Sequence, residues 1–178
     1  NGESASVYGR VEDLDVKSNV KVTNAIVTGT LRFIGSNSVV SNSTVNNVVF
    51  GESRSVKATN SKLEGSNITG TVTFTQRGSE TNSLIGNNIT QTVMLQGVND
   101  IVYQNNIITT GDYAVDATHT RASENNISDN YLISNGKKGN EAVTFASDKD
   151  HIVENNGPDF VLGTVADVLI GNDKRRVA

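Results

Sequence analysis

The chain contains no cysteine, no tryptophan, two histidines and a single proline among its 178 residues. Without cysteine there is no disulfide scaffold, no thiolate zinc site and no cysteine nucleophile. With only His119 and His151 there is no Ser-His-Asp arrangement and no zinc-ligand cluster. Aromatics make up 5% and hydrophobic residues 35%, less bulk than a large globular core uses. No apolar run approaches the eighteen or so residues that span a bilayer, and no signal peptide is visible, so an exported protein would be represented here by its mature part. Apolar residues at helical spacing are almost absent. A net charge of −4 and a pI of about 5.1 argue against nucleic acid or an anionic membrane as partner. The basic run Lys174, Arg175, Arg176 reads as a solvated end.

Asparagine is abundant, with 23 copies. Unpatterned, such a composition would suggest disorder; here it recurs. A unit N-x-h-h-x-x-N-x-h, with h apolar, reads NSVVSNSTV from Asn37, NSLIGNNIT from Asn82 and NDIVYQNNI from Asn99, with looser copies from Thr120 and Asp150. A second unit ends at Phe33 (VTGTLRF), Phe50 (NNVVF), Phe74 (ITGTVTF), Leu95 (ITQTVML), Val115 (GDYAV) and Phe145 (NEAVTF), at intervals of 17, 24, 21, 20 and 30 residues. A period near twenty, strand-like and free of helix signals, predicts a parallel β-helix (solenoid) of about six to seven coils of roughly 20 residues. Coils stacked about 4.8 Å apart would make a rod roughly 30 Å long. Val72 and Phe74 are expected to point inward, Thr71, Thr73 and Thr75 outward.

At the corners the chain needs a residue that tolerates the left-handed region and bonds its own backbone, and asparagine does both. Equivalent side chains can then bond from coil to coil as a ladder. The pattern places Asn67, Asn88, Asn106 and Asn126 in one column, each followed by Ile, and Asn87, Asn105 and Asn125 in its neighbour; which column points inward stays open. The expected organisation is an N-terminal cap or half-coil over 1–18, coils over 19–158, and a C-terminal cap or last strand over 159–178. Pro158, unable to donate to a ladder, is expected to end the regular stack. Ser134 to Glu141, SNGKKGNE, reads as a protruding loop, with Asn135, Lys137, Lys138 and Asn140 as candidate binding residues.

Over GDYAVDATHTRASENNISDNYLISNGKKGNEAV, Gly111 to Val143, the sequence resembles the β-helix repeats of methanogen adhesin-like proteins, large surface proteins with NosD-like, pectate-lyase-type coils. The resemblance is best over residues 80 to 158. It implies a right-handed β-helix, the usual hand of β crossovers, and an exported, wall-associated protein with a binding or structural role.

Several residue groups could carry chemistry. DYAVDATHTR is similar to the Tyr-Gly-Phe-Asp-Pro-His signature of alginate epimerases. In a uronate lyase or epimerase Asp116 would neutralise the substrate carboxylate, His119 would abstract the proton and Arg121 would position. Two residues separate Asp116 from His119 where that family has one, which moves the His to the other strand face unless a turn intervenes. The bland reading is a set of solvated corner residues. Asp148, Asp150, Glu154 and Asp159 make calcium the only cofactor the sequence offers, in a spacing that matches no calcium loop; a solvated acidic face is the alternative. No metal ligand set is expected. Four sequons stand at Asn42, Asn67, Asn88 and Asn126, and Asn42, outside the column, is expected to be glycosylated first. Thr69, Thr71, Thr73, Thr75, Thr90 and Thr92 raise ice binding, but Arg32, Val49 and Met94 interrupt the grid at comparable positions.

Three functions follow. The first is a non-catalytic surface module, a stiff rod that presents loops to a cell-surface glycan or protein. The second is a structural subunit that self-associates end to end. The third is a polysaccharide lyase or epimerase.

Overall fold

The computed structural model describes residues 3–6, 9–136, 141–145, 151–162 and 168–170. Within them every regular element is a strand, and every strand pairing is parallel. The chain is a β-solenoid of about six turns with a spacing of roughly 21 residues. Each turn carries up to three short strands on its sides, and two turns add a fourth, Ala58–Thr59 and Ser79–Glu80, which pair with each other. The first side is a nine-stranded sheet that includes Val39–Ser41, Lys62–Glu64, Ser83–Ile85, Ile101–Tyr103, Asn126–Ser128 and Ile152–Glu154. A fourteen-stranded sheet supplies the other two sides. Its long strands Ile26–Phe33 and Thr44–Phe50 run across both arms, with a register shift between Val27 and Thr30 where the arms divide.

The period-2 alternation sets the inside. Val40, Leu63, Leu84, Val102 and Ile127 stack on the first side. Val45, Ile68, Ile89, Ile107 and Leu132 stack on the second. On the third, Phe33, Phe50 and Phe74 are fully buried and their rings stack at 4.6 and 4.5 Å, nearly parallel. Val72 and Phe74 are inside and Thr71, Thr73 and Thr75 outside, as the alternation requires.

Two polar columns run inside the corners. The first is Ser38, Ser61, Asn82, Asp100, Asn125 and His151; the second is Ser43, Ser66, Asn87, Asn105, Asn130 and Asn156, all buried. In both, the backbone N–H of one coil donates to the side chain of the next. Asn87 N–H reaches Asn105 Oδ1 at 2.9 Å, and Asn105 N–H reaches Asn130 Oδ1 at 2.9 Å. Each asparagine amide also donates back to a backbone carbonyl of the preceding coil, Asn105 Nδ2 to Leu84 at 2.8 Å and Asn125 Nδ2 to Gly97 at 3.1 Å. Corner N–H groups cannot reach a β ladder, so these side chains satisfy them. Serine replaces asparagine in the early coils because its hydroxyl accepts the same N–H and turns its own proton to a carbonyl two residues back. Ser66 shows the second of these bonds, to Glu64 at 2.9 Å, and Ser43 N–H supplies the first, to Ser66 Oγ at 3.0 Å. Asn105→Ala is therefore expected to cost roughly 2–3 kcal/mol by orphaning a buried N–H and a buried carbonyl, and Asn105→Ser roughly half of that. Urea denaturation of the two variants checks the order.

The structure corrects the corner rule. The left-handed residue is the one before each ladder residue: Asn37, Asn60, Thr81, Asn99 and Glu124 at one corner, Asn42, Gly65, Gly86, Gln104, Asp129 and Asn155 at the other. The doublets Asn87-Asn88 and Asn105-Asn106 thus hold no left-handed residue. They comprise one inward and one outward side chain. The unit from Asn82 also slips by one, since Val40 pairs with Leu63 and Leu63 with Leu84, which puts Thr81 rather than Asn82 opposite Asn60 and Asn37. On the third side Val115 pairs with Val93, so Ala117, not Val115, continues the column of Leu95.

Pairing continues past Pro158. Gly157–Pro158 pairs with Tyr131–Leu132, Phe160–Leu162 with Glu141–Phe145, and Val168–Ile170 with Ile152–Glu154. The proline is tolerated because the N–H groups of Gly157 and Asp159 on either side of it make the bonds to the preceding coil, and among the described residues its strand has no partner on the other side. At the other end Glu3–Ser6, Arg10–Val11 and Leu14–Val16 pair in register with the following coil.

Candidate functional site

The epimerase-like string runs from a strand into the loop that follows it. Asp116 lies in Val115–Ala117 on the outer face of the third side, between Met94 and Thr144. Its Oδ1 accepts the Thr118 hydroxyl at 2.6 Å and the Thr118 N–H at 3.0 Å. His119 stands in the following loop, where Nδ1 accepts the Arg121 N–H at 3.1 Å, and Arg121 is exposed. The chain leaves the strand after Ala117, and local hydrogen bonds from Thr118 and from the Arg121 N–H engage Asp116 and His119.

Of the proposed loop, Asn135 is exposed, while Lys137, Lys138 and Asn140 lie outside the described residues. So do Asp148 and Asp150. Asp159 is a buried ladder group, its Oδ2 accepting the Ser134 N–H at 2.7 Å, which turns it away from any acidic face. Among the described residues no three acidic or histidine side chains gather as a metal site. Asn42 is exposed at a left-handed corner. The threonine grid is broken as expected, with Arg32, Val49, Thr73, Met94 and Asp116 in one register.

Asn67, Asn88 and Asn106 do form a column, and it faces solvent. Asn88 Nδ2 donates to Asn67 Oδ1 at 3.1 Å and Asn106 Nδ2 to Asn88 Oδ1 at 3.3 Å. Asn126 is not in it. The long coil between Asn106 and Asn126 moves Asn126 to the first side, between Ile101 and Ile152, and Tyr131 takes the next place beside Asn106. Likewise Asn125 belongs to the column of Asn82 and Asp100, while Asn130 follows Asn105. A second outer column joins Asn60 to Asn37 at 2.8 Å and Asn37 to Asn19 at 3.4 Å. It borders a hollow of about 360 Å³ lined by Asn37, Val39, Asn60, Ser61, Lys62 and Ser83.

Sequence reasoning missed Asp100. Its signal was an acid in NDIV at a place where other coils have Ser or Asn. The carboxylate is fully buried; Oδ1 accepts the Asn82 N–H at 2.8 Å and Oδ2 the Ser79 hydroxyl at 2.9 Å. Burial pushes it up to about 7 from the ordinary 3.8, against the pull of those hydrogen bonds. Arg32 was known only as a grid interruption. It joins three carboxylates across coils, Asp15 at 2.7 Å and Asp13 and Glu52 at 3.6 Å, and the Asp15 hydrogen bond leads in raising its guanidinium further.

No family model, curated protein or solved structure matches the chain.

Proposed function

We propose that this chain is a non-catalytic, rod-like cell-surface module that recognises a glycan or protein partner through its outer sides, as the adhesin-like resemblance implies. One observation carries the reading: two amide columns, Asn19–Asn37–Asn60 and Asn67–Asn88–Asn106, stand exposed and are already hydrogen-bonded from coil to coil. An amide has two donors and two acceptor lone pairs. Each coil-to-coil bond uses one of each and leaves the rest for solvent. Side chains fixed in this way have lost much of their rotamer freedom before a ligand arrives, which lowers the cost of binding. Calcium remains the one cofactor to add to a binding assay.

A glycan array probed with the whole chain tests this. Binding to at least one glycan class is expected, and binding to none would overturn glycan recognition. Removal of Lys137, Lys138 and Gly139 separates the two presenting elements: survival of binding assigns the rigid sides, loss assigns the loop.

End-to-end assembly is favoured by a different observation. Glu3–Ser6 is the end of the nine-stranded sheet and pairs only with Val20–Thr23 among the described residues. Such an edge is a template for another strand.

A further inference from the structure

We infer that the second side of the solenoid is a track for an extended, uncharged polysaccharide lying along the stacking axis; this rests on the surface-recognition reading and specifies its ligand. The outer residues of this side form two adjacent columns. One runs Thr44, Asn67, Asn88, Asn106, Tyr131. The other includes Thr69 and Thr90 and, farther along, Ile108 and Ile133. From Thr44 to Tyr131 and Ile133 no carboxylate, amine or guanidinium stands among them; the first column starts farther back, at Arg10 beside Ile26, which precedes Thr44. Over the stretch from Thr44 onward a uronate or sulfated polymer would find no counter-charge, so that stretch suits neutral hydroxyls.

The polar and apolar parts are arranged in sequence along the axis. Asn67, Asn88 and Asn106 repeat once per coil, about 4.8 Å apart. Each offers solvent an N–H and an oxygen lone pair that its neighbour does not use. A hydroxyl both donates and accepts, so a sugar edge matches that pair. The coil spacing is close to the advance per residue of an extended β-linked pyranose chain, which lets successive sugars meet successive amides. The column then reaches Tyr131, 51% exposed, beside Asn106, with Ile108, 44% exposed, two residues farther along the same strand as Asn106. Ring and methyl groups together make the apolar platform on which the C–H face of a pyranose stacks. Tyrosine does this at low entropic cost and keeps a hydroxyl for the edge. Two large apolar side chains left in water at the end of a fixed amide ladder have no role in the core, which Leu132 and Ile107 fill from the opposite strand face.

Affinity electrophoresis through gels containing hydroxyethyl cellulose, xyloglucan or galactomannan, with polygalacturonate as the charged control, tests the track. Tyr131→Ala and Asn88→Ala both remove exposed side chains, and melting curves confirm that each variant stays folded. The expected result is retardation in at least one neutral gel, weakened about tenfold or more by Tyr131→Ala and abolished in the double variant. Retardation in a neutral gel that the double variant keeps would overturn the track and leave surface recognition standing, with the hollow at Asn37 and Asn60 as the next site. Retardation by polygalacturonate alone would overturn the neutral ligand. Binding to none of these, and to nothing on a glycan array, would overturn both readings.

Discussion

Asp100→Asn is expected to raise the melting temperature at pH 8 by roughly 5–12 °C and to change it little at pH 4. The folded carboxyl titrates near 7, above its ordinary 3.8, because burial disfavours the charge. Folding therefore favours the protonated form. The wild-type chain is most stable below about pH 4, where the group is protonated both folded and unfolded. It loses stability as pH rises towards 7, and the full cost is present above that. At about 1.4 kcal/mol per pKa unit the rise from 3.8 to about 7 sets the cost at no more than about 4 kcal/mol, and for a chain of this length each kcal/mol moves the melting temperature by roughly 2–4 °C. Asparagine suits the site because the same column already contains Asn82 and Asn125. Each accepts a backbone N–H from the coil before and donates to a carbonyl there, Asn82 Nδ2 to Ala58 at 2.8 Å and Asn125 Nδ2 to Gly97 at 3.1 Å. The amide introduced by Asp100→Asn would keep the acceptor for the Asn82 N–H and shed the charge. Glu80, the one charged neighbour that raises the carboxyl, adds its repulsion only when both are ionised. Thermal unfolding of both proteins between pH 4 and 8 measures this. Equal slopes with pH would show that Asp100 is not the group that titrates.

Phe50→Ala is expected to cost about 4 kcal/mol. Phe50 is wholly buried and stacked on both faces, by Phe33 and Phe74. Its removal deletes a large apolar side chain, leaves a cavity between two rings held by their own coils, and breaks two aromatic contacts. The parallel backbones fix the coil spacing, so the rings cannot close the gap. Phe50→Leu keeps most of the volume and should lose about 1–2 kcal/mol, since the later coils already place Leu95 in this column. Denaturant unfolding gives both values. A loss under about 1 kcal/mol for the alanine variant would mean that the column collapses and that the stack is not rigid.

The architecture was legible because alternation and period are properties of every coil. Val72, Thr73 and Phe74 reveal their faces by themselves, and ITGTVTF against VTGTLRF reveals the repeat. The register was less legible. Corner positions come in pairs, one left-handed and one inward, and asparagine is acceptable at both. Asn42, left-handed, and Asn87, inward, look alike in sequence. The left-handed place also takes Gly86, Gln104 and Glu124, while the inward place takes Ser66, Asp100 and His151. No single letter marks either one, so spacing alone puts Asn82 one residue out of register and Asn126 on the wrong side. Loops of unequal length between the third and first sides added to this, because a repeat read by spacing cannot see where an insertion falls. The exposed column at Asn67, Asn88 and Asn106 was legible as a column, yet its direction was not. Direction follows from which residue of each doublet precedes the inward isoleucine, Ile68, Ile89 and Ile107, and alternation then sends that asparagine out.

The central claim is that the sides of a single rod, not its ends, carry the function. Light scattering over a concentration series, with electron microscopy of the same samples, tests it most directly. The account predicts a mass that stays near the 18.9 kDa of one chain at every concentration, with short separate particles. A mass that climbs with concentration, accompanied by fibres of uniform width, would contradict it and make the two ends of the solenoid the interface.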